Sequence, residues 1–99
     1  MYKLDPDADI SGVSSNDVKL TTTYGQLEDA FGQPHEEGDK SQAMWFFKDQ
    51  KTGTVYVVSD WKEEEDIKTS GKEYEFRIYS KKGFFQDEMF KDWLEIQLK

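Results

Sequence analysis

Apolar residues recur along this chain with two periods, and each change of period marks an element. After a polar, turn-prone opening, Val18 and Leu20 alternate with polar neighbours over residues 17–22, the spacing of a short strand. The period then lengthens. Tyr24, Leu27 and Phe31 stand at i, i+3 and i+7, one face of a helix. Thr23 is a suitable N-cap, and Gln26 three residues later completes a capping box. Gly32 can take a left-handed conformation just past the helix, and Pro34 prevents its continuation. Residues 35–41 (HEEGDKS) read as an exposed acidic loop.

Residues 42–48 and 54–60 are β-branched and aromatic, and 49–53 (DQKTG) suits a hairpin loop with Gly53 at positive φ. Both faces of each strand are apolar: Met44 and Phe46 against Trp45 and Phe47, then Val55 and Val57 against Tyr56 and Val58. Such strands need a cover on each face. Two helices would supply it; otherwise one apolar face stays bare for association. Residues 61–72 form a charged connector. Over 73–81, Tyr74, Phe76 and Ile78 alternate with polar residues as a half-buried strand. From Phe84 or Phe85 to Leu98 the period is helical again. Phe85, Met89, Trp93 and Ile96 run along one side, with Phe90, Leu94 and Leu98 adjoining.

The order β-α-β-β-β-α predicts an α+β domain over 17–99: a mostly antiparallel sheet of three or four strands packed with two helices. Residues 1–16 read as a flexible acidic N-terminal arm, with Ile10 and Val13 docking on the body.

Composition sharpens this picture. Three Trp, seven Phe and five Tyr in 99 residues supply a core despite few aliphatics. The absence of cysteine excludes disulfides, Cys-type zinc sites and thiol redox chemistry. A net charge of −8 disfavours phosphate-backbone and anionic-membrane binding. The opening MYKLDPDADI is not a signal peptide, and no apolar run approaches a membrane span. The expectation is a soluble protein of the cytoplasm.

The pattern Thr23-Tyr24-x-x-Leu27-x-x-x-Phe31-Gly32-x-Pro34, then Trp45, Thr52-Gly53-x-Val55 and Asp60-Trp61-Lys62 resembles a group of small phage and viral proteins with no assigned activity. The resemblance covers roughly residues 18–80 and implies a viral origin. The chain departs from the usual Gly-Gly step after the last strand, where it has Ile78-Tyr79-Ser80. In that setting the cytoplasm is a host cell's.

Little of the sequence points to catalysis. His35, beside Glu36, Glu37 and Asp39, has the residue types of a general base or metal ligand. It lacks a nucleophile, a second histidine and a phosphate-cradling glycine run, so a solvated surface histidine is the better reading. Asp5-x-Asp7-x-Asp9 opens like a calcium loop, but Ile10 stands where glycine is needed and Asn16 where the bidentate glutamate belongs. No cofactor is expected.

The acidic clusters remain. Glu63, Glu64, Glu65 and Asp66, with Trp61 and Lys62 before them and Glu36, Glu37 and Asp39 in the earlier loop, are the candidate partner-binding residues. They could mimic DNA phosphates before a basic groove, or simply solvate the surface. Tyr79, Phe84 and Phe85, or the second hairpin face, offer an aromatic alternative. The function expected is a non-catalytic acidic viral accessory protein that binds and inhibits a host defence or nucleic-acid-handling protein. Its partner would be a host protein with a basic surface, not nucleic acid or membrane, and it would be a monomer or homodimer. The alternative is a virion structural or assembly protein that self-associates through exposed aromatics.

Overall fold

The computed structural model of the chain describes residues 1–38, 41–60 and 64–99, and of 36–38 the backbone alone. Among these residues the elements are β1 (Tyr2–Leu4), β2 (Ser14–Thr23), α1 (Tyr24–Phe31), β3 (Glu36–Gly38), β4 (Ser41–Asp49), β5 (Val55–Asp60), α2 (Ile67–Ser70), β6 (Glu73–Ser80) and α3 (Phe84–Gln97). One sheet holds every strand, in the order β1-β4-β5-β6-β2, with β3 beside β1 on the outer edge of β4. All pairings are antiparallel. The architecture is the α+β one that the order of periods predicts. Short β1, β3 and α2 add to it, because elements of three or four residues carry too little periodicity to read.

The helix α1 forms as its sequence dictates. The Thr23 hydroxyl accepts the Gln26 amide at 3.0 Å, and Gln26 Oε1 reaches back to the Thr23 amide at 3.3 Å. Gly32 follows at φ +82°, donating to the Glu28 carbonyl, and its own carbonyl accepts the Trp45 indole N–H at 3.0 Å. The end of α1 is thereby tied to the middle of β4. The β4–β5 hairpin turns where expected, with Gly53 at φ +75° and its amide on the Asp49 carbonyl at 2.7 Å.

One face of the sheet carries the helices. Leu27 and Tyr24 of α1, Ile67 of α2, and Phe90 and Leu94 of α3 close over Leu20, Trp45, Phe47, Tyr56, Val58, Phe76 and Ile78. Phe90 stacks on Tyr56 with centroids 4.6 Å apart and meets Phe47 edge-on at 5.1 Å. Each such side chain contributes on the order of 1.5–3 kcal/mol by leaving water.

The other face is covered without a helix. Residues 1–16 are not an arm outside the domain: β1 pairs with β4, and Ser14, Ser15 and Asn16 belong to β2. Since β1 and β2 lie on opposite edges, residues 5–13 cross the sheet, a span of about 19 Å at ordinary strand spacing. Ile10 and Val13 dock there as expected, against Met44, Val57 and Tyr79 around a hollow of ≈ 270 Å³. Phe46 and Val57 are buried on this face.

The seating of α3 chooses between its two adjoining apolar rows. Its inward face is Asp87, Phe90 and Leu94, while Phe85, Met89 and Ile96 point to solvent. The cause is polar. Fully buried Asp87 accepts the Ser80 hydroxyl and, at 2.9 Å, the Asn16 side-chain amide. Asn16 reaches it from an irregular stretch of β2, where the register to β6 shifts and Asp17 adopts φ +62°. A buried carboxylate must keep its donors, so this contact sets the rotation of the helix.

The two kinds of phenylalanine can be told apart by measurement. Phe47→Ala should lower the unfolding free energy by about 3–5 kcal/mol, and Phe85→Ala by no more than about 0.5 kcal/mol. Urea unfolding of both variants checks this, and comparable losses would mean that Phe85 is a core residue.

Candidate interaction surfaces

The acidic run expected to face a partner is partly consumed by the fold. Asp66 is the N-cap of α2, its carboxylate accepting the Lys68 amide at 2.9 Å, which turns the chain so that Ile67 enters the core. Glu65 accepts the Lys72 ammonium at 3.0 Å and the Tyr74 hydroxyl at 3.1 Å. Hydrogen bonds from Lys72 and Tyr74 hold the Glu65 carboxyl below its usual range, and the same Glu65 contact raises Lys72. The Glu65 carbonyl accepts from the Gln42 side chain, whose Oε1 in turn accepts the Ile67 amide. Glu64 is exposed. Glu36 and Glu37 lie in β3, whose backbone runs along the first residues of β4. The two acidic segments therefore approach the same end of β4. Trp61, Lys62, Glu63 and Asp39 lie outside the described residues.

Asp60, the first residue of the Asp-Trp-Lys motif, has a structural task. Fully buried at the end of β5, its Oδ1 accepts the Ser41 hydroxyl at 2.9 Å and the Gln42 and Ala43 amides at 2.8 and 2.9 Å. It clamps the start of β4, where ladder bonding begins.

His35 is not a solvated surface histidine. It is half-buried against Phe46, with ring centroids 5.5 Å apart, and its Nδ1 accepts the Phe46 amide at 3.0 Å. Its own amide donates to the Met44 carbonyl, while the Asp5 amide takes the Phe46 carbonyl. The imidazole thus completes the outer edge of β4 between β3 and β1. A nitrogen used this way is unavailable as a general base.

The Asp5-x-Asp7-x-Asp9 carboxylates serve local turns. Asp5 accepts the Asp7 amide and Asp9 the Ser11 amide, and the Ser11 bonds lower the Asp9 carboxyl. Among the described residues no three His, Asp or Glu side chains gather as metal ligands would. No helix among them is long and apolar enough to cross a membrane. Tyr79 lines the hollow beneath residues 10–13, where burial raises its phenol.

Apart from Met1 and Leu4 near the N-terminus, the large apolar side chains that the fold leaves exposed among the described residues lie on α3. Phe85 is 79 % exposed, Met89 65 % and Ile96 63 %, with Phe84 at 52 % beside Phe85. Trp93 borders this stripe half-buried, stacked on Phe90 and in contact with Tyr2. Glu88, Asp92 and Glu95 flank it on the other side. Large apolar side chains on one exposed helix face mark contact surfaces. The pattern contained a signal: apolar residues occupy two neighbouring rows of this helix, more than one sheet contact can cover.

No protein-family model matches the chain, and comparison with curated proteins finds no similar sequence.

The histidine contact sets a pH dependence. Burial lowers the His35 pKa, with Asp5 opposing in part, and an accepting Nδ1 requires the neutral ring. The unfolded chain then binds the proton more readily than the folded one. The stability from this contact is complete above about pH 6.5 and is lost as pH falls toward the lower folded value. Urea unfolding at about pH 7.5 and about pH 5, either side of that window, should show a larger drop for the wild type than for His35→Gln. Equal drops would remove the histidine from the account.

Proposed function

We propose that the protein is a non-catalytic inhibitor that works by binding, docking the outer face of α3 on a target protein with a basic surface. The observation that carries the reading is the Phe85–Met89–Ile96 stripe, exposed on a helix whose opposite face already completes the core. Neither the core nor the covering of the sheet needs these side chains. The net charge of −8 selects the sign of the partner and speeds encounter with a positive surface. Together with the resemblance to small viral proteins, it directs the reading to a host defence or nucleic-acid-handling protein in an infected cell. Charge here acts as steering more than as a template of phosphates, because Glu65 and Asp66 are held by internal partners.

The test is a paired capture from host lysate, at low and high salt, with the wild type and a Phe85→Ser/Met89→Ser/Ile96→Ser variant. A target held by the wild type should be lost by the variant, and its capture should weaken as salt rises. Urea midpoints of the two proteins should agree, since the three sites lie outside the core. Identical captured sets would overturn the assignment of the surface. Large homo-oligomers of the wild type alone, dispersed by the same substitutions, would favour the assembly role instead.

A further inference from the structure

The chemistry of the docking partner can be read from what surrounds the stripe, taking as given that α3 is the docking face. On a helix, residues three and four apart are neighbours. Phe85 and Met89 are therefore neighbours, Ile96 follows two turns on along the same side, and Glu88, Asp92 and Glu95 run beside them, with Asp92 at the spacing that places it between Met89 and Ile96. Asp92 and Glu95 are exposed and Glu88 is half-buried. On the opposite side the stripe runs into Trp93 and then toward Tyr2, Tyr56 and Gln86, a hollow whose only charged lining residues, Lys82 and Asp49, are of opposite sign. Lys91 lies beyond the acidic row, toward the sheet, and Lys99 closes its C-terminal end. The face is thus lengthwise half apolar and half acidic.

We propose that this face takes a basic amphipathic helix of the partner protein, its apolar strip against Phe85, Met89 and Ile96 and its Lys or Arg row against Glu88, Asp92 and Glu95. A helix fits because Phe85, Met89, Asp92 and Ile96 stand at i, i+4, i+7 and i+11, the seam along which two helices lie side by side. The charge has to be positive on one flank only. A second copy of this chain fits poorly. It brings the same acidic row and a net charge of −8, so antiparallel pairing sets carboxylates against carboxylates. An anionic bilayer meets the same repulsion.

The test uses a synthetic Leu/Lys helix of about 18 residues, long enough to be helical on contact, with its Leu/Glu counterpart as control. The wild type should bind the Leu/Lys peptide and not the Leu/Glu peptide. Asp92→Lys/Glu95→Lys and, separately, Phe85→Ser/Met89→Ser should each weaken binding by at least about tenfold. Asp7→Lys/Glu73→Lys changes the net charge equally at exposed sites outside α3 and should leave affinity within about twofold. If the remote pair weakens binding as much as the α3 pair, attraction is to net charge alone and the proposal fails. It fails equally if the Leu/Glu peptide binds, if phosphatidylcholine vesicles do, or if sedimentation shows a wild-type dimer that Phe85→Ser/Met89→Ser dissociates. A lysate target captured through α3 but not displaced by the Leu/Lys peptide would overturn this inference while leaving the docking face itself standing.

Discussion

The rest of the structure follows from one requirement, that β4 be sealed on every side. Its residues alternate Trp45 and Phe47 with Met44 and Phe46, so neither face tolerates water, and its backbone groups need partners on both edges. The inner edge is met by β5 and one face by the helices. The outer edge is assembled from pieces: β1 along Phe47 to Asp49, the Asp5 amide and His35 imidazole at Phe46, and β3 along Ser41 to Met44. The remaining face is closed by residues 5–13, drawn across because β1 and β2 hold opposite edges. Placing β1 on that outer edge therefore determines both the path of the N-terminal segment and the surface it covers.

The readable parts of the fold were those whose signals are local. The Thr23–Gln26 box, the Gly32 stop and the Gly53 turn are each set by residues within a few positions, and the structure has them where the residues demand. The double-sided apolar character of β4 and β5 also announced a cover on each face. What covers the second face was not legible, because Ile10 and Val13 are two apolar residues in a polar stretch and acquire meaning only from the edge positions of β1 and β2. The same holds for His35 and Asp60. Their partners are backbone amides of β4, and amides leave no trace in residue identity.

The rotation of α3 is the instructive case. Periodicity defines an amphipathic helix but not which of two adjacent apolar rows faces inward. That choice rests on Asp87, a residue that composition alone would place in solvent, and on donors from Ser80 and Asn16 that lie far off in the chain or across a turn. A buried carboxylate with fixed donors is costly to misplace, whereas turning a Phe–Met–Ile row outward costs only hydrophobic area that a partner can later recover. Polar specificity has overridden apolar quantity. It leaves a helix with one face committed to the fold and another free for contact, and it explains how a chain with so heavy an aromatic content still presents large apolar side chains to water.

That division extends to light. Trp45 is wholly enclosed and donates to the Gly32 carbonyl, so its emission belongs to the folded interior. Trp93 stands at the border, its ring stacked on Phe90 and Phe31 while part of it looks out beside Met89 and Ile96. These two of the chain's three indoles therefore sample different events, legible once Trp61 is replaced by Phe: the first brightens or reddens when the sheet opens, the second when something settles on α3. The molecule carries its own optical gauge of occupancy, separate from its gauge of folding.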